Sequence, residues 1–143
     1  MRTIIRVAGA CAAAASLSLA LPAASALAGP DGGCDRGAVC LYAYYGYNYS
    51  GAYPRDLWRD FTESDAYLGD DLWFQGDTAV ETSRIVNNDA SSVKNRSGCE
   101  AVLWQNPLFT GAHSTFAAGR ADPFLANGTV GNNTASSLSI WCA

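Results

Sequence analysis

Apolar and polar positions alternate along this chain in short bursts, and turn residues interrupt every burst. Residues 38–44 (Ala-Val-Cys-Leu-Tyr-Ala-Tyr), 101–104, 114–117 and 136–141 have strand composition, rich in β-branched, aromatic and leucine side chains. Within the last of these, Ser137-Leu138-Ser139-Ile140 alternates polar with apolar, the pattern of a strand with one solvated face. Gly46, Gly51, Gly76, Gly98, Gly111, Gly119, Gly128 and Gly131 punctuate the strands, with Asn and Asp between them. The one hint of helix is a short turn within residues 56–67. Short strands at this spacing predict an antiparallel sandwich or barrel.

A longer-range pattern is superimposed. Tyr44-Tyr45-Gly46-Tyr47-Asn48-Tyr49-Ser50-Gly51 is followed by Asn87-Asn88-Asp89-Ala90-Ser91-Ser92. Trp104-Gln105-Asn106-Pro107-Leu108-Phe109-Thr110-Gly111 is followed by Asn132-Asn133-Thr134-Ala135-Ser136-Ser137. Aromatic-x4-aromatic-x-Gly and then Asn-Asn-x-Ala-Ser-Ser, twice in the same order, predict a duplicated unit. In each unit a hairpin bends at a glycine able to take positive φ, and the later Asn and Ser side chains tie off a loop. Gly51 and Asn87 lie 36 positions apart, Gly111 and Asn132 only 21. The first unit therefore carries an insertion, placed by this reading within residues 55–77. That stretch holds seven of the 13 acidic residues together with Trp58, Phe61, Tyr67, Leu68, Leu72, Trp73 and Phe74. Such side chains predict a cover over one open end of the sandwich, or else a protruding partner-binding loop.

Composition refines this picture at the N-terminus first. Arg2 and Arg6 precede an apolar run from Val7 to Leu21, and Ala26-Leu27-Ala28 is a small-x-small cleavage signal, so residues 1–28 read as a signal peptide. Residues 29–143 are then a single secreted, extracellular domain. Nothing after the leader is apolar for long enough to span a bilayer, so no membrane association is expected once it is removed. Loss of Arg2 and Arg6 lowers the basic count from 9 to 7 against 13 acidic residues, a net charge of −6. That balance excludes nucleic acid as a partner. Cys11 also leaves with the leader. The even set Cys34, Cys40, Cys99 and Cys142 reads as two disulfides in an exported domain, not as a metal site or catalytic thiol. Of the three connectivities, Cys34–Cys40 with Cys99–Cys142 fits best: it staples the N-terminal arm and ties the second unit's first strand to its last.

The paired hallmarks resemble those of the βγ-crystallin superfamily over residues 39–141. The leader, Cys34-x5-Cys40-Leu41-Tyr42 and Tyr67-Leu68-Gly69-Asp70-Asp71 resemble, more narrowly, the secreted bacterial metalloproteinase-inhibitor family of the SMPI type. The resemblance implies an all-β, βγ-crystallin-like Greek-key β-sandwich, with motif one at about residues 38–95 and motif two at about 99–142. It implies a monomeric peptidase inhibitor that occupies the active-site cleft of an extracellular protease, in particular a metalloprotease. The alternative on the same motifs is a calcium-binding structural or toxin-like module without inhibitory activity.

The superfamily resemblance implies two all-oxygen calcium sites. One uses Asn87, Asn88, the Asp89 carbonyl and Ser91; the other uses Asn132, Asn133, the Thr134 carbonyl and Ser136. Neutral amides predict weak binding, and no cofactor is required. The reactive bond does not transfer. The family's inhibitor presents a bond beside a cysteine in a short disulfide loop, followed by a hydrophobic residue, whereas Cys99 here precedes Glu100-Ala101-Val102 with no cysteine close downstream. The loops to test are residues 95–100, tethered by Cys99, and 67–74. No enzyme is expected: His113 is the single histidine, and no Gly-x-Ser-x-Gly elbow, His-Glu-x-x-His motif or Gly-rich phosphate loop accompanies it.

Overall fold

The structure, a computed structural model, describes residues 33–48, 56–76 and 80–143. The leader, Tyr49, Gly51 and residues 55 and 77 lie outside the described residues. The strands are β1 (Val39–Tyr42), β2 (Leu57–Phe61), β3 (Leu72–Gln75), β4 (Val80–Ile85), β5 (Ser92–Asn95), β6 (Glu100–Asn106), β7 (Thr110–Phe116), β8 (Ala121–Asp122) and β9 (Ser137–Trp141). One sheet has the order β4-β3-β2-β1-β5-β8, the other β7-β6-β9. All the pairings are antiparallel. The expected short turn at 56–67 is not helical: Leu57–Phe61 is strand, because Leu57, Trp58 and Phe61 bury against β1.

The two units exchange strands. β8, from the second unit, pairs with β5 of the first through Val93↔Asp122 and Lys94↔Ala121. In return, Asp65 of the first unit bridges Leu138 on β9, with backbone N–H···O bonds of 2.7 and 2.8 Å in the two directions. Greek-key crossings of this kind leave neither unit a closed core of its own. The shared interior holds Val39, Leu41, Leu68, Trp73, Val86, Val93, Leu103, Leu125, Val130 and Leu138. Leu68 and Leu125 are counterparts: each follows an Asx turn, in which Asp65 accepts from Tyr67 N–H and Asp122 from Phe124 N–H, both at 2.8 Å. Each leucine N–H then donates 3.0 Å to a serine carbonyl of the other unit, Ser136 and Ser91 respectively.

The duplication is therefore real, but its register differs from the sequence reading by two residues. Ser92 Oγ donates to Tyr44 O at 2.7 Å and accepts from Tyr47 N–H at 3.1 Å; Ser137 Oγ does the same with Asn106 O and Phe109 N–H at the same distances. Tyr47 is thus the counterpart of Phe109, and Tyr42 of Trp104. Among the described residues the hairpin aromatics of the first unit are Tyr42 and Tyr47, packed edge-on with ring centroids 5.8 Å apart, so that Tyr42 rather than Tyr44 takes the first position. Positive φ falls on Gly46, Tyr47 and Asn48 in one unit and on Leu108, Phe109 and Gly111 in the other. Asn48, which tolerates this region better than most residues, takes part in the bend of the first hairpin. Its side chain holds the bend by accepting from Tyr44 N–H and donating 2.7 Å to Leu57 O.

The insertion begins within residues 55–77 but runs past them, as the β3–β4 hairpin between Asp71 and Val86. Most of the aromatic cluster covers the core, as one of the two expectations held: Trp73 is fully buried beside Leu68 and Phe61, and Trp58 packs on the Cys34–Cys40 side of the sheet with Tyr42. The polar face of β9 is also unlike the expectation. Ser137 and Ser139 are buried: the indole N–H groups of Trp104 and Trp141 both donate to Ser139 Oγ at 2.9 Å, and Ser137 Oγ is held by Phe109 N–H and Asn106 O. A hydroxyl can sit there because its hydrogen bonds are supplied.

Both disulfides form with the expected connectivity, at Cα–Cα distances of 5.6 Å for Cys34–Cys40 and 4.7 Å for Cys99–Cys142. By loop-closure entropy the short bridge is worth roughly 2.5 kcal/mol and the long one roughly 4. Removing the long bridge with Cys99→Ser and Cys142→Ser should lower unfolding free energy more than removing Cys34–Cys40, as read in denaturant melts. Leu68→Ala and Leu125→Ala should each cost about 2–5 kcal/mol in the same assay, since both empty a site in the common interior.

Candidate functional site

Three arrangements stand out, and the first is the pair of Asn-Ser segments. They meet each other. Asn88 N–H donates to Ala135 O at 2.8 Å and Asn133 N–H to Ala90 O at 3.0 Å, so each segment holds the other by its backbone. Asn88 and Asn133 adopt positive φ, 56° and 57°, which turns the chain into these contacts. The side chains also cross. Ser136 Oγ donates to Asn88 Oδ1 at 3.2 Å, and Ser91 Oγ lies 3.4 Å from Asn133 Oδ1 while donating to Ala43 O at 2.9 Å. The residues expected to act together within one unit are thus grouped across the two: Ser91 with Asn133, and Ser136 with Asn88. Asn87 Oδ1 and Asn132 Oδ1 are buried and meet no hydrogen-bond donor among the described residues.

The third positions differ between units. Thr134 Oγ1 donates to Gly131 O at 2.8 Å. Asp89 is instead claimed by the insertion: its carboxylate accepts from Trp73 Nε1 at 2.7 Å and is paired with Arg84 at 2.5 Å. The hydrogen bond to Asp89 raises the pKa of Arg84 above its ordinary value. The sequence marked Trp73 only as part of the aromatic insertion and did not mark Arg84, because the hairpin that delivers them has no counterpart in the second unit.

The second arrangement is the segment 95–100. Asn95 is 1 % exposed, yet it sits at the foot of an exposed loop. Its Nδ2 donates to Cys99 O at 2.8 Å, Phe116 O at 2.8 Å and Ala117 O at 3.2 Å, while its Oδ1 accepts from Ser97 N–H and Ser97 Oγ at 3.0 and 2.7 Å. One buried amide therefore spans the loop from inside. Arg96 fixes the other flank: its N–H donates to Ala38 O and its carbonyl accepts from Gly37 N–H, both at 2.8 Å, and its guanidinium donates to Cys34 O. The loop, carrying exposed Arg96, Gly98 and Glu100, is thus braced by the Cys34–Cys40 arm on one side and anchored by Cys99–Cys142 on the other. The alternative segment, residues 67–74, is not a free loop, since Leu68, Asp71 and Trp73 are buried. His113 is exposed on β7, where its ring rests 4.6 Å from that of Trp104.

The third arrangement is acidic. Asp65, Asp70 and Asp71 gather at the base of the insertion, where Arg59 reaches Asp71 at 2.8 Å and Glu81 at 3.1 Å. Burial pushes the Asp71 carboxyl up to about 6; its bond to Asp65 and the charges of Asp65 and Asp70 add to this, and Arg59 opposes it.

Against known proteins, the sequence profile of peptidase inhibitor family I36 matches residues 59–116, from β2 to the end of β7. No curated protein matches the chain. Among solved structures, one from work on the evolution of the eye-lens βγ-crystallin domain fold superposes with a TM-score of 0.58 at 19 % identity, covering 78 % of this chain and 92 % of its own. A βγ-crystallin from an archaeon gives 0.52 at 16 %, covering 75 % and 100 %, and one from Ciona intestinalis gives 0.50 at 16 %, covering 73 % and 100 %. At such identities the likeness establishes the fold, which agrees with the exchanged strands and crossed segments described above. Residues 59–116 are thus similar to peptidase inhibitor family I36, and the fold is that of the βγ-crystallins.

Proposed function

We propose that this chain is a secreted peptidase inhibitor of extracellular metalloproteases that acts as a monomer, by filling the active-site cleft with residues 96–100 and without chemistry of its own. The observation that carries the loop assignment is the bracing by Asn95. A substrate-like inhibitor must enter a cleft in extended form and then resist cleavage. Both needs favour a segment whose conformational entropy is already spent before binding. Residues 96–100 have that property, with a buried amide inside, a backbone pair to the N-terminal arm, and a disulfide at Cys99. Secretion rests on the leader, and the metalloprotease preference on the family resemblance.

A second reading is favoured by the orphaned oxygens of Asn87 and Asn132. Buried acceptors without donors suit a hard cation. Calcium would supply charge to bind the two Asn-Ser segments together. Ser91, Asn133 and the Asp89 carbonyl would hold one ion beside Asn87, and Ser136, Asn88 and the Thr134 carbonyl the other beside Asn132. All the side-chain ligands are neutral, so affinity belongs in the roughly 0.1–1 mM range of extracellular modules. On this reading the domain is a calcium-stabilised structural or toxin-like module lacking inhibition.

The inhibitor reading predicts that near-stoichiometric protein abolishes the activity of a thermolysin-like enzyme, with weaker effects on subtilisin-like and trypsin-like proteases. Undiminished activity under a large molar excess would refute it. Asn95→Ala should weaken inhibition at least about tenfold and speed cleavage of the loop, because it removes the buried amide that ties Cys99 O to Phe116 O and Ala117 O, a loss of about 1–3 kcal/mol. The calcium reading predicts heat on calorimetric titration and a melting temperature that rises with calcium; at ten times Kd the gain is about 1.4 kcal/mol. A flat titration and an unmoved melting temperature would dispose of it.

A further inference from the structure

We propose that the outward face of the β6–β9 pair, centred on Trp141, is a second contact for the protease, packing on an apolar rim of its cleft on the side that holds residues after the cut bond. The inference rests on the inhibitor reading above, with residues 96–100 in the cleft. Along β6, Ala101 and Leu103 point into the shared interior, so Val102 and Trp104 lie on the opposite face. There Trp104 stands opposite His113 of β7, Val102 opposite Ser139 of β9, and Glu100 opposite Trp141. Val102 is only 5 % exposed although it lies outside the common interior, and Ser139 is buried beside it. The two indoles account for this. Both donate to Ser139 Oγ, which draws their rings down over the middle of the sheet.

The result is a fixed apolar surface. Trp141 is 61 % exposed, yet its polar edge is turned inward and satisfied, so what it shows to solvent is ring. A hydroxyl oxygen has two lone pairs, and Ser139 spends both as the joint anchor of the two indoles. A tryptophan held in this way loses little freedom on binding and asks no polar group of the surface it meets. Tryptophan is also among the residue types enriched in the few contacts that dominate interface affinity. Glu100 and His113, both exposed, border the patch and give it a polar rim.

Continuity with the loop names the partner. Glu100 ends the segment assigned to the cleft and pairs directly with Trp141, so their Cα atoms lie about 5 Å apart across the antiparallel ladder. The Cys99–Cys142 bridge, with Cα atoms 4.7 Å apart, holds the two strands together at that point. An enzyme that encloses residues 96–100 therefore has its wall within reach of the Trp141 ring. Glu100 is the C-terminal end of the segment, so that wall is the one lining the subsites beyond the cut bond. The surface is peculiar to the second unit: counting from the matched Ser92 and Ser137, the counterpart of Trp141 is Arg96, whose guanidinium is tied to Cys34 O.

The test compares inhibition of a thermolysin-like enzyme by the full mature chain and by its Trp141→Ala, Trp141→Phe and Leu108→Ala variants. Leu108 is 72 % exposed but lies past the far end of β6, roughly 20 Å from Glu100, so it controls for loss of any surface apolar group. Trp141→Ala should weaken inhibition at least about tenfold, mainly through faster dissociation. Trp141→Phe keeps a ring on the surface and should stay within about threefold of the parent, and Leu108→Ala should match it. At saturating enzyme the slow cut within residues 96–100 should run at the parent rate in Trp141→Ala, since the bracing by Asn95 is untouched. Equal inhibition by the parent and Trp141→Ala would overturn the proposal, as would an equally large loss in Trp141→Phe. A loop cut faster in Trp141→Ala would make Trp141 a support of the loop and not a contact. Dimerisation of the free protein that Trp141→Ala abolishes, read by light scattering, would give this face to a second copy and overturn it too. A parent protein that inhibits no thermolysin-like enzyme would refute the inhibitor reading and this contact together.

Discussion

The structure depends on a reciprocal exchange of hydrogen bonds between two copies of one short segment. Asn88 donates to Ala135 while Asn133 donates to Ala90, and Ser91 and Ser136 each place a hydroxyl beside the other copy's asparagine. Neither unit can satisfy these groups alone. The strand exchange has the same character, since Asp65 completes the edge of β9 and β8 completes the edge of β5. A unit on its own would expose Leu68 or Leu125 and leave buried backbone groups without partners, at a cost larger than the stability of a small domain. One interior, closed from both sides, follows from that constraint.

The symmetry fixes a frame, and departures from it carry the specific features. The β3–β4 hairpin exists in one unit alone. It brings Trp73 and Arg84 to Asp89 and brings Arg59 and Glu81 around Asp71, so charge gathers on that side of the domain. The loop at 95–100 arises at the junction between the units, where β5 ends and β6 begins. Its geometry comes from three sources at once: a buried asparagine, the N-terminal arm and the long disulfide. A loop fixed by so many independent contacts is unusual on a surface with no structural need for it, which is why function is sought there.

Much of this was legible in the residues. An even cysteine number behind a leader-like N-terminus led to the two disulfides, and Asn-Asn-x-Ala-Ser-Ser repeated at Asn87 and Asn132 identified the segments that cross. What misled was the density of tyrosine near the first hairpin. With aromatics at 42, 44, 45, 47 and 49, the spacing to a glycine selects Tyr44 as the first hairpin aromatic, whereas among the described residues Tyr42 and Tyr47 pack together and Asn48 takes positive φ. The alternation in β9 was read correctly as strand but wrongly as half-solvated, because Trp104 and Trp141 donate to Ser139 and the Phe109 N–H donates to Ser137. Asn95 was invisible as a functional residue: an asparagine at a strand end resembles any turn former until its five hydrogen-bond contacts are seen in space.

The βγ-crystallin fold supplies a frame with one preorganised loop, and on the inhibitor reading proposed above this loop is what a protease meets. Prolonged incubation with a thermolysin-like enzyme, followed by mass spectrometry of the cut sites, addresses it directly. The account predicts a single slow cleavage within residues 96–100, with the cut protein still folded around its exchanged strands. Cleavage confined to other segments while residues 96–100 stay intact in the inhibited complex would contradict it.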